Sequence, residues 1–355
     1  MKEFYPNHNF KKIDYPSNSW YEDWMTRNNM LHKHETLLEK ERSMNATRGN
    51  IRDWFERIGN EIDFTKINKM MIGNLDETGL VSKGKSLLCV KKGTKYAITK
   101  DIDSPQHITI LTLIINGGTM FKPLFVFQLT NMPTYLDDLV QNGKLFVSGQ
   151  KKGWITEQSL GDYLALFFEW LPIYRKQIGV GPKEWFVLFS DSHGSRKDPE
   201  LMKLAKNNFC HIVTFPSHTT HILQPLDVGI YAVFKKYYRQ EKRRFKNVIL
   251  KFEGETPSIT GQARCIEVLA AIEALHLCSS PMSINNAFVF TGLCPWNPDR
   301  LLMNSRINPS EEITINNRKR KTLQIDNMVV TNDKNIALLE STSKSTPGKK
   351  KSLKV

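Results

Sequence analysis

The segment Trp185-Phe186-Val187-Leu188-Phe189-Ser190-Asp191 is a buried strand that stops on a carboxylate: five apolar residues, one serine, then Asp191. Working outward, Leu160, Tyr163, Leu164, Phe167, Phe168 and Leu171 mark an amphipathic helix upstream, expected to stop before Pro172. Downstream, Pro199 opens a helix through Asn207, His211–Phe215 is another strand, and Pro225 precedes a long basic helix. Further upstream, His107–Asn116 and Phe121–Leu129 are strands joined by Gly117-Gly118, with weaker strand signals at Ser86–Val90 and Tyr96–Thr99. Before these, Met70–Leu75 is a short apolar run that ends at Asp76.

The strong elements give the order strand, strand, strand, helix, strand, helix, strand, helix. That order predicts an α/β fold of the RNase H type, a mixed sheet flanked by helices. Three zones surround or compose it. Residues 1–68 read as a helical N-terminal segment, with Thr47 as N-cap of a helix whose Ile51, Trp54, Phe55, Ile58 and Ile62 form one packing face. Residues 69–300 form the α/β domain, which also carries a helix near Ile259–His276. Residues 301–355, rich in Asn, Ser, Thr and Lys and poor in aromatics, read as a basic, disordered tail.

The chain has 355 residues, of which 40% are hydrophobic, enough for one large core with appendages. A formal charge of +14 favours a polyanionic partner, nucleic acid first, because Lys and Arg displace the counterions condensed on phosphates. Cys89, Cys210, Cys265, Cys278 and Cys294 are scattered and form no C-x-x-C pair, which reads as reduced thiols rather than a disulfide framework. No stretch reads as a secretory signal or approaches the length of a membrane span, so a soluble intracellular protein without a membrane partner is expected.

Two strands ending in aspartate and a third aspartate at the start of a helix suit a particular chemistry. Hydrolysing a phosphodiester without a covalent intermediate needs an activated water and a stabilised leaving oxygen, which two divalent ions about 4 Å apart supply. Mg²⁺ takes oxygen ligands and keeps several waters, so a few carboxylates from separate elements suffice. Asp76, Asp191 and Asp227 meet that need. Thirty-five residues lie between Asp191 and Asp227, room for a helix, a strand and a loop to bring the chain back to the same edge. Asp227 would lie at the positive end of its helix dipole, which favours its ionised state. Taken singly, each of these aspartates reads more readily as a turn former; their occurrence together in this order favours the metal reading.

At these positions the chain resembles a known family. Asn74–Leu80 (NLDETGL), Phe215–Gly229 (FPSHTTHILQPLDVG) and Thr291–Asp299 (TGLCPWNPD) are similar to the signature blocks of pogo-like DDE transposases, a mariner-related branch that includes jerky-like proteins and centromere protein B. The resemblance runs in collinear order over about 69 to 300. It implies that Asp76, Asp191 and Asp227 are the catalytic, metal-holding aspartates, working with two Mg²⁺ or Mn²⁺ ions. It also implies double-stranded DNA as partner, a homodimer or larger assembly on that DNA, and the nucleus as location. It further implies His221 and Gln224, in the second of these blocks, and His193, in the Phe189–Gly194 segment around Asp191, as supporting residues. Where relatives often carry a second His just beyond the position of His193, this chain has Gly194-Ser195-Arg196. Relatives also carry two helix-turn-helix modules ahead of the catalytic domain; Trp20–Asn28 is similar only to the last helix of the second, which marks 1–68 as a remnant plus linker.

Lys235, Lys236, Arg239, Lys242, Arg243, Arg244 and Lys246 place seven cations within twelve residues of the helix after Asp227, a DNA-backbone track or else a solvated face. Arg318–Lys321 and Lys349–Lys351 read as nuclear-import signals or nonspecific DNA contacts. His211, His218 and His221 with Cys210 do not make a zinc site, since His218-x-x-His221 is short and no second ligand pair has suitable spacing. Glu77 is expected on the opposite strand face from Asp76, in solvent. Two functions are consistent with these readings: a DNA endonuclease and strand transferase of transposase type, or a domesticated, non-catalytic DNA-binding or chromatin protein that keeps the fold.

Overall fold

The computed structural model describes residues 17–30, 46–80, 107–129, 136–141, 143–191, 198–245, 257–302, 307 and 328–343. The chain divides into two compact units, 1–40 and 41–355. In the first, α1 (Asn18–Arg27) is capped by Ser17, whose side chain accepts a hydrogen bond from the backbone N–H of Trp20.

The second unit is built on a six-stranded mixed sheet in the order β4-β3-β2-β1-β5-β6. Its strands are β1 (Ile72–Gly79), β2 (Ile108–Ile115), β3 (Thr119–Phe127), β4 (Phe146–Gly149), β5 (Phe186–Ser190) and β6 (Cys210–Thr214). β1, β2 and β3 run antiparallel in sequence, and β4, β5 and β6 join in parallel with β3, β1 and β5 respectively. Gly117 and Gly118, at φ +104° and +96°, make the β2–β3 turn in a backbone region that favours glycine.

One sheet face packs on α2 (Arg48–Glu61), α7 (Tyr231–Phe245), α8 (Ile259–Cys278) and α9 (Pro281–Phe290). Thr47 caps α2 as its sequence predicts, accepting from Asn50 N–H, and the stripe Ile51, Trp54, Phe55, Ile58 and Ile62 is buried. The Trp54 indole N–H donates to the Thr214 carbonyl across the core. The boundary expected at 68/69 therefore falls inside the folded unit: α2 belongs to the α/β core, because its apolar face finds the sheet. The other face packs on α4 (Glu157–Gln177), α5 (Pro199–Asn207) and α11 (Asp333–Ser343).

Three further expectations need correction. α4 does not stop before Pro172 but runs to Gln177. The hydrogen bond that a proline forfeits costs about 3 kcal/mol. Contacts made by the last turn offset that cost: Tyr174 is buried and donates to the Met70 carbonyl, and Arg175 donates to the carbonyls of Glu184, Asn208 and Phe209. β4 and α9 are additions to the expected elements; both are short, and Phe146–Gly149 offers only three core residues from Leu145 to Val147 as a signal. The tail is not disordered over its described part. Val329 bridges Val213, Ile212 N–H donates to the Thr331 hydroxyl, and Lys203–Glu340 and Lys206–Asp333 ion pairs tie α11 to α5. Val330, Ile336 and Leu339 supply the apolar contacts that composition averaged over the whole tail conceals. The strand signals at 86–90 and 96–99, and the basic runs at 318–321 and 349–351, lie outside the described residues.

Candidate active site

β1 and β5 pair in parallel up to Leu75 opposite Ser190. The next residue on each, Asp76 and Asp191, therefore leaves that ladder at the same end of the sheet. β1 itself does not end at Asp76. Its antiparallel pairing with β2 continues to Gly79, with Asp76 opposite Thr112, so the aspartate is inside one ladder and past the end of the other. Asp191 directly follows β5.

Asp227 comes from the opposite direction. A short helix, α6 (Thr220–Leu223), leads through Gln224 and Pro225 into a π-helical turn over Leu226–Ile230 that continues as α7. Asp227 lies in the first turn of this segment, where the helix dipole favours a carboxylate. Wide π turns within helices are frequent at functional sites. Gly229 lets α9 approach: a Cβ there would stand 2.6 Å from the Cβ of Ala287.

Asn74 joins these parts. It is wholly buried, its amide donates to the Phe189 carbonyl at 3.0 Å, and its carbonyl accepts from Leu226 N–H at 3.0 Å. One side chain two residues before Asp76 thus holds both the strand that delivers Asp191 and the turn that delivers Asp227. The Tyr231 hydroxyl adds a second tie, donating to the backbone carbonyl of Asp76 at 2.8 Å.

Asp76 is 7% exposed, Asp191 half-buried and Asp227 exposed. Burial pushes the Asp76 carboxyl well above the usual carboxylate range, and the negative charges of Asp227 and then Asp191 push it further. The backbone N–H of Glu77 and the buried side-chain amide of Gln224 pull the other way, although that amide makes no hydrogen bond of good geometry. The three carboxylates therefore share one electrostatic field. Among the described residues, no three His, Cys, Asp or Glu side chains gather into a single-ion cage. Oxygen-only donors, one of them buried among like charges, fit hard divalent cations, which relieve the repulsion and bring their own waters rather than require an all-protein shell.

The remaining candidates divide. Gln224 is buried beside Asp76, and His221 is half-buried in α6; His193 lies outside the described residues. Lys235, Lys236, Arg239 and Arg243 are exposed along one side of α7. Lys242 does not belong with them. It is 7% exposed and pairs with the buried Glu267 of α8 at 3.0 Å, and Arg244, on another side of the helix, pairs with Glu241 at 3.2 Å. Helical periodicity, which turns Lys242 toward α8 with Tyr238 and Phe245, was the available signal. Lys246 lies outside the described residues. Glu77 is half-buried rather than solvated. His211 stacks on Trp185 at 4.1 Å, and burial lowers its pKa to about 4.

The sequence reading missed Asn74, Tyr231 and the structural meaning of Thr291–Asp299. In that block Trp296 stacks on Phe64 at 4.0 Å and lies 6.0 Å from Phe189, so the segment braces the strand that delivers Asp191.

The described residues hold no single helix long and apolar enough to cross a membrane. In sequence the chain is similar to the MFS-type transporter clz9 of Cochliobolus lunatus, 25% identical over 269 residues, 71% of this chain. It spans 27% of that protein's length, so the alignment leaves most of the relative uncovered. Among solved structures it is similar to the Mos1 mariner paired-end complex with Mn, at 9% identity and a TM-score of 0.43, covering 81% of this chain and 69% of that one. It is also similar to the Mos1 transposase catalytic domain with raltegravir and Mg, at 9% identity and a TM-score of 0.38, covering 76% and 94%. The family model described as DDE superfamily endonuclease matches residues 106–287, slightly over half of the chain, and takes in Asp191 and Asp227 while Asp76 precedes it. The chain belongs to the DDE superfamily endonuclease family.

Proposed function

We propose that this protein is a DNA endonuclease and strand transferase of transposase type, with Asp76, Asp191 and Asp227 as its metal-holding residues. The observation that carries the reading is the meeting of three aspartates from separate elements at one sheet end, where two of them raise the proton affinity of the third. Mg²⁺ or Mn²⁺ held there would supply an activated water or 3′-hydroxyl and stabilise the leaving oxygen. The chain's own work is positioning. Asn74 and Tyr231 fix the register of the site, Gln224 lines its buried side, and the exposed cations of α7 hold the DNA backbone. None of the aspartates acts as a covalent nucleophile.

The similarity of NLDETGL, FPSHTTHILQPLDVG and TGLCPWNPD to the pogo branch supports double-stranded DNA as substrate, action in the nucleus, and assembly of two or more copies on DNA. The absence of a tight three-carboxylate cage among the described residues favours a second reading, a non-catalytic DNA-binding descendant. Supercoiled plasmid in Mg²⁺ or Mn²⁺ separates the two. Nicking by the protein, lost in Asp191→Asn, is expected. Nicking retained by the variant overturns the assignment, and folded protein that binds DNA without nicking it favours the second reading.

A further inference from the structure

β4 runs parallel to β3, and through β2 and β1 it shares its direction with β5. The turn after β4 therefore lies at the same end of the sheet as Asp191. It reads Gln150-Lys151-Lys152-Gly153-Trp154. This turn is closed on itself by one hydrogen bond and pinned to the sheet by two others. Gln150 N–H donates to the Phe127 carbonyl, Gly153 N–H donates to the Gln150 carbonyl, and the Thr109 hydroxyl donates to the Gly153 carbonyl at 2.9 Å. Gly153 is buried at φ +69°, and a Cβ on it would meet the His107 carbonyl at 3.0 Å. Ile155 on the other side is buried as well.

Between these two anchors Trp154 is 58% exposed, with its ring centroid 4.6 Å from the His107 imidazole. Lys151 and Lys152 beside it are exposed. A single exposed aromatic is ordinary. An indole carried on a backbone pinned by buried neighbours, flanked by two cations, at the end of the sheet that carries the carboxylates, has the chemistry of a nucleobase platform: a π-face for stacking and charge for the adjoining phosphates.

We propose that Trp154 stacks on an unpaired base of the DNA substrate while Lys151 and Lys152 contact the flanking phosphates. This rests on the cleavage reading above and deepens it by assigning a contact for DNA that is opened near the site. Gly79, three residues beyond Asp76 on β1, lies against His107, since a Cβ there would be 3.3 Å from its Nε2. The platform is thus on the order of 15 Å from Asp76, roughly four or five base-pair steps. It lies toward the other face of the sheet from Asp76, so DNA reaching both crosses the sheet end.

The test is equilibrium binding in EDTA, by anisotropy, of a mixed-sequence duplex and the same duplex with a central run of mismatches. The protein and its Trp154→Ala and Trp154→Phe variants are compared, each checked for an unchanged thermal melt. Stacking predicts that Trp154→Ala loses roughly 5- to 150-fold in affinity for the mismatched duplex, keeps its affinity for the paired one, and is largely rescued in Trp154→Phe. Equal binding by Trp154→Ala and the unaltered protein overturns the proposal, as does an equal loss on both duplexes. Because no cleavage is needed, a protein that never nicks DNA still reports on stacking, and the cleavage reading fails separately in the plasmid assay.

Discussion

Replacing Asn74 by alanine should damage the site and the fold together. The side chain is fully buried, and its removal strands the Leu226 N–H and takes a hydrogen bond from the Phe189 carbonyl, which stays in the β1–β5 ladder. A buried polar group left without its partner costs about 1–3 kcal/mol and a lost hydrogen bond about 0.5–1.5 kcal/mol, so the two together set a loss of about 1.5–4.5 kcal/mol. In a unit of this size each kcal/mol lowers the melting temperature by about 2–4 °C. Urea unfolding followed by tryptophan fluorescence reads the stability, and plasmid nicking reads the site. Asn74→Asp sharpens the test, because it keeps an acceptor for Leu226 N–H, cannot donate to Phe189, and adds a charge near Asp76. Nicking should fall in both variants by more than the folded fraction falls, since the turn carrying Asp227 loses its tie to the strand carrying Asp76. An Asn74→Ala protein within about 0.5 kcal/mol of the original that nicks at full rate would refute this account of how the carboxylates are held.

In the metal-free protein Asp76 has its folded pKa raised above its unfolded value, so its own contribution to stability is most favourable below the unfolded carboxylate value near 3.9 and declines as pH rises toward the folded one, by up to about 1.4 kcal/mol per pH unit. Asp76→Asn should flatten that profile and exceed the original in stability at neutral pH in EDTA, as measured by urea unfolding across the range. Lys242→Ala breaks a buried ion pair with Glu267 and should cost about 3–5 kcal/mol in the same unfolding assay. Lys235→Ala and Arg239→Ala should leave stability unchanged while each lowers the salt dependence of DNA binding by about 0.9 in the log–log slope. Gly229→Ala forces its methyl group to 2.6 Å from Ala287 and should cost about 1–3 kcal/mol in a thermal melt.

Apolar runs bounded by Gly, Pro or a carboxylate made the strands readable: β2, β3, β5 and β6 lie within a residue or two of where the pattern puts them. Thr47 and Pro199 marked two helix starts through hydrogen-bond chemistry that is local in sequence. What failed was non-local. Pro172 is a good stop signal whose cost is offset by Tyr174 and Arg175 reaching partners more than thirty residues from Arg175 or about a hundred from Tyr174. The fold of Met328–Ser343 depends on the free edge of β6, which no local composition reveals. At the site, the aspartates could be named from their settings, but Asn74 reads as an ordinary strand residue until Phe189 and Leu226 are brought to it from 115 and 152 residues away. The α7 cations were legible as a run, and only the helix face separates Lys242 from Lys235, Lys236, Arg239 and Arg243.

The most direct measurement is Mn²⁺ binding to the protein on a DNA duplex, followed by electron paramagnetic resonance, beside the Asp76→Asn, Asp191→Asn and Asp227→Asn variants. Three carboxylates acting as one centre predict about two ions bound per chain, with affinity lost in every variant. Unchanged Mn²⁺ binding in all three variants would contradict the claim that these aspartates form the metal centre.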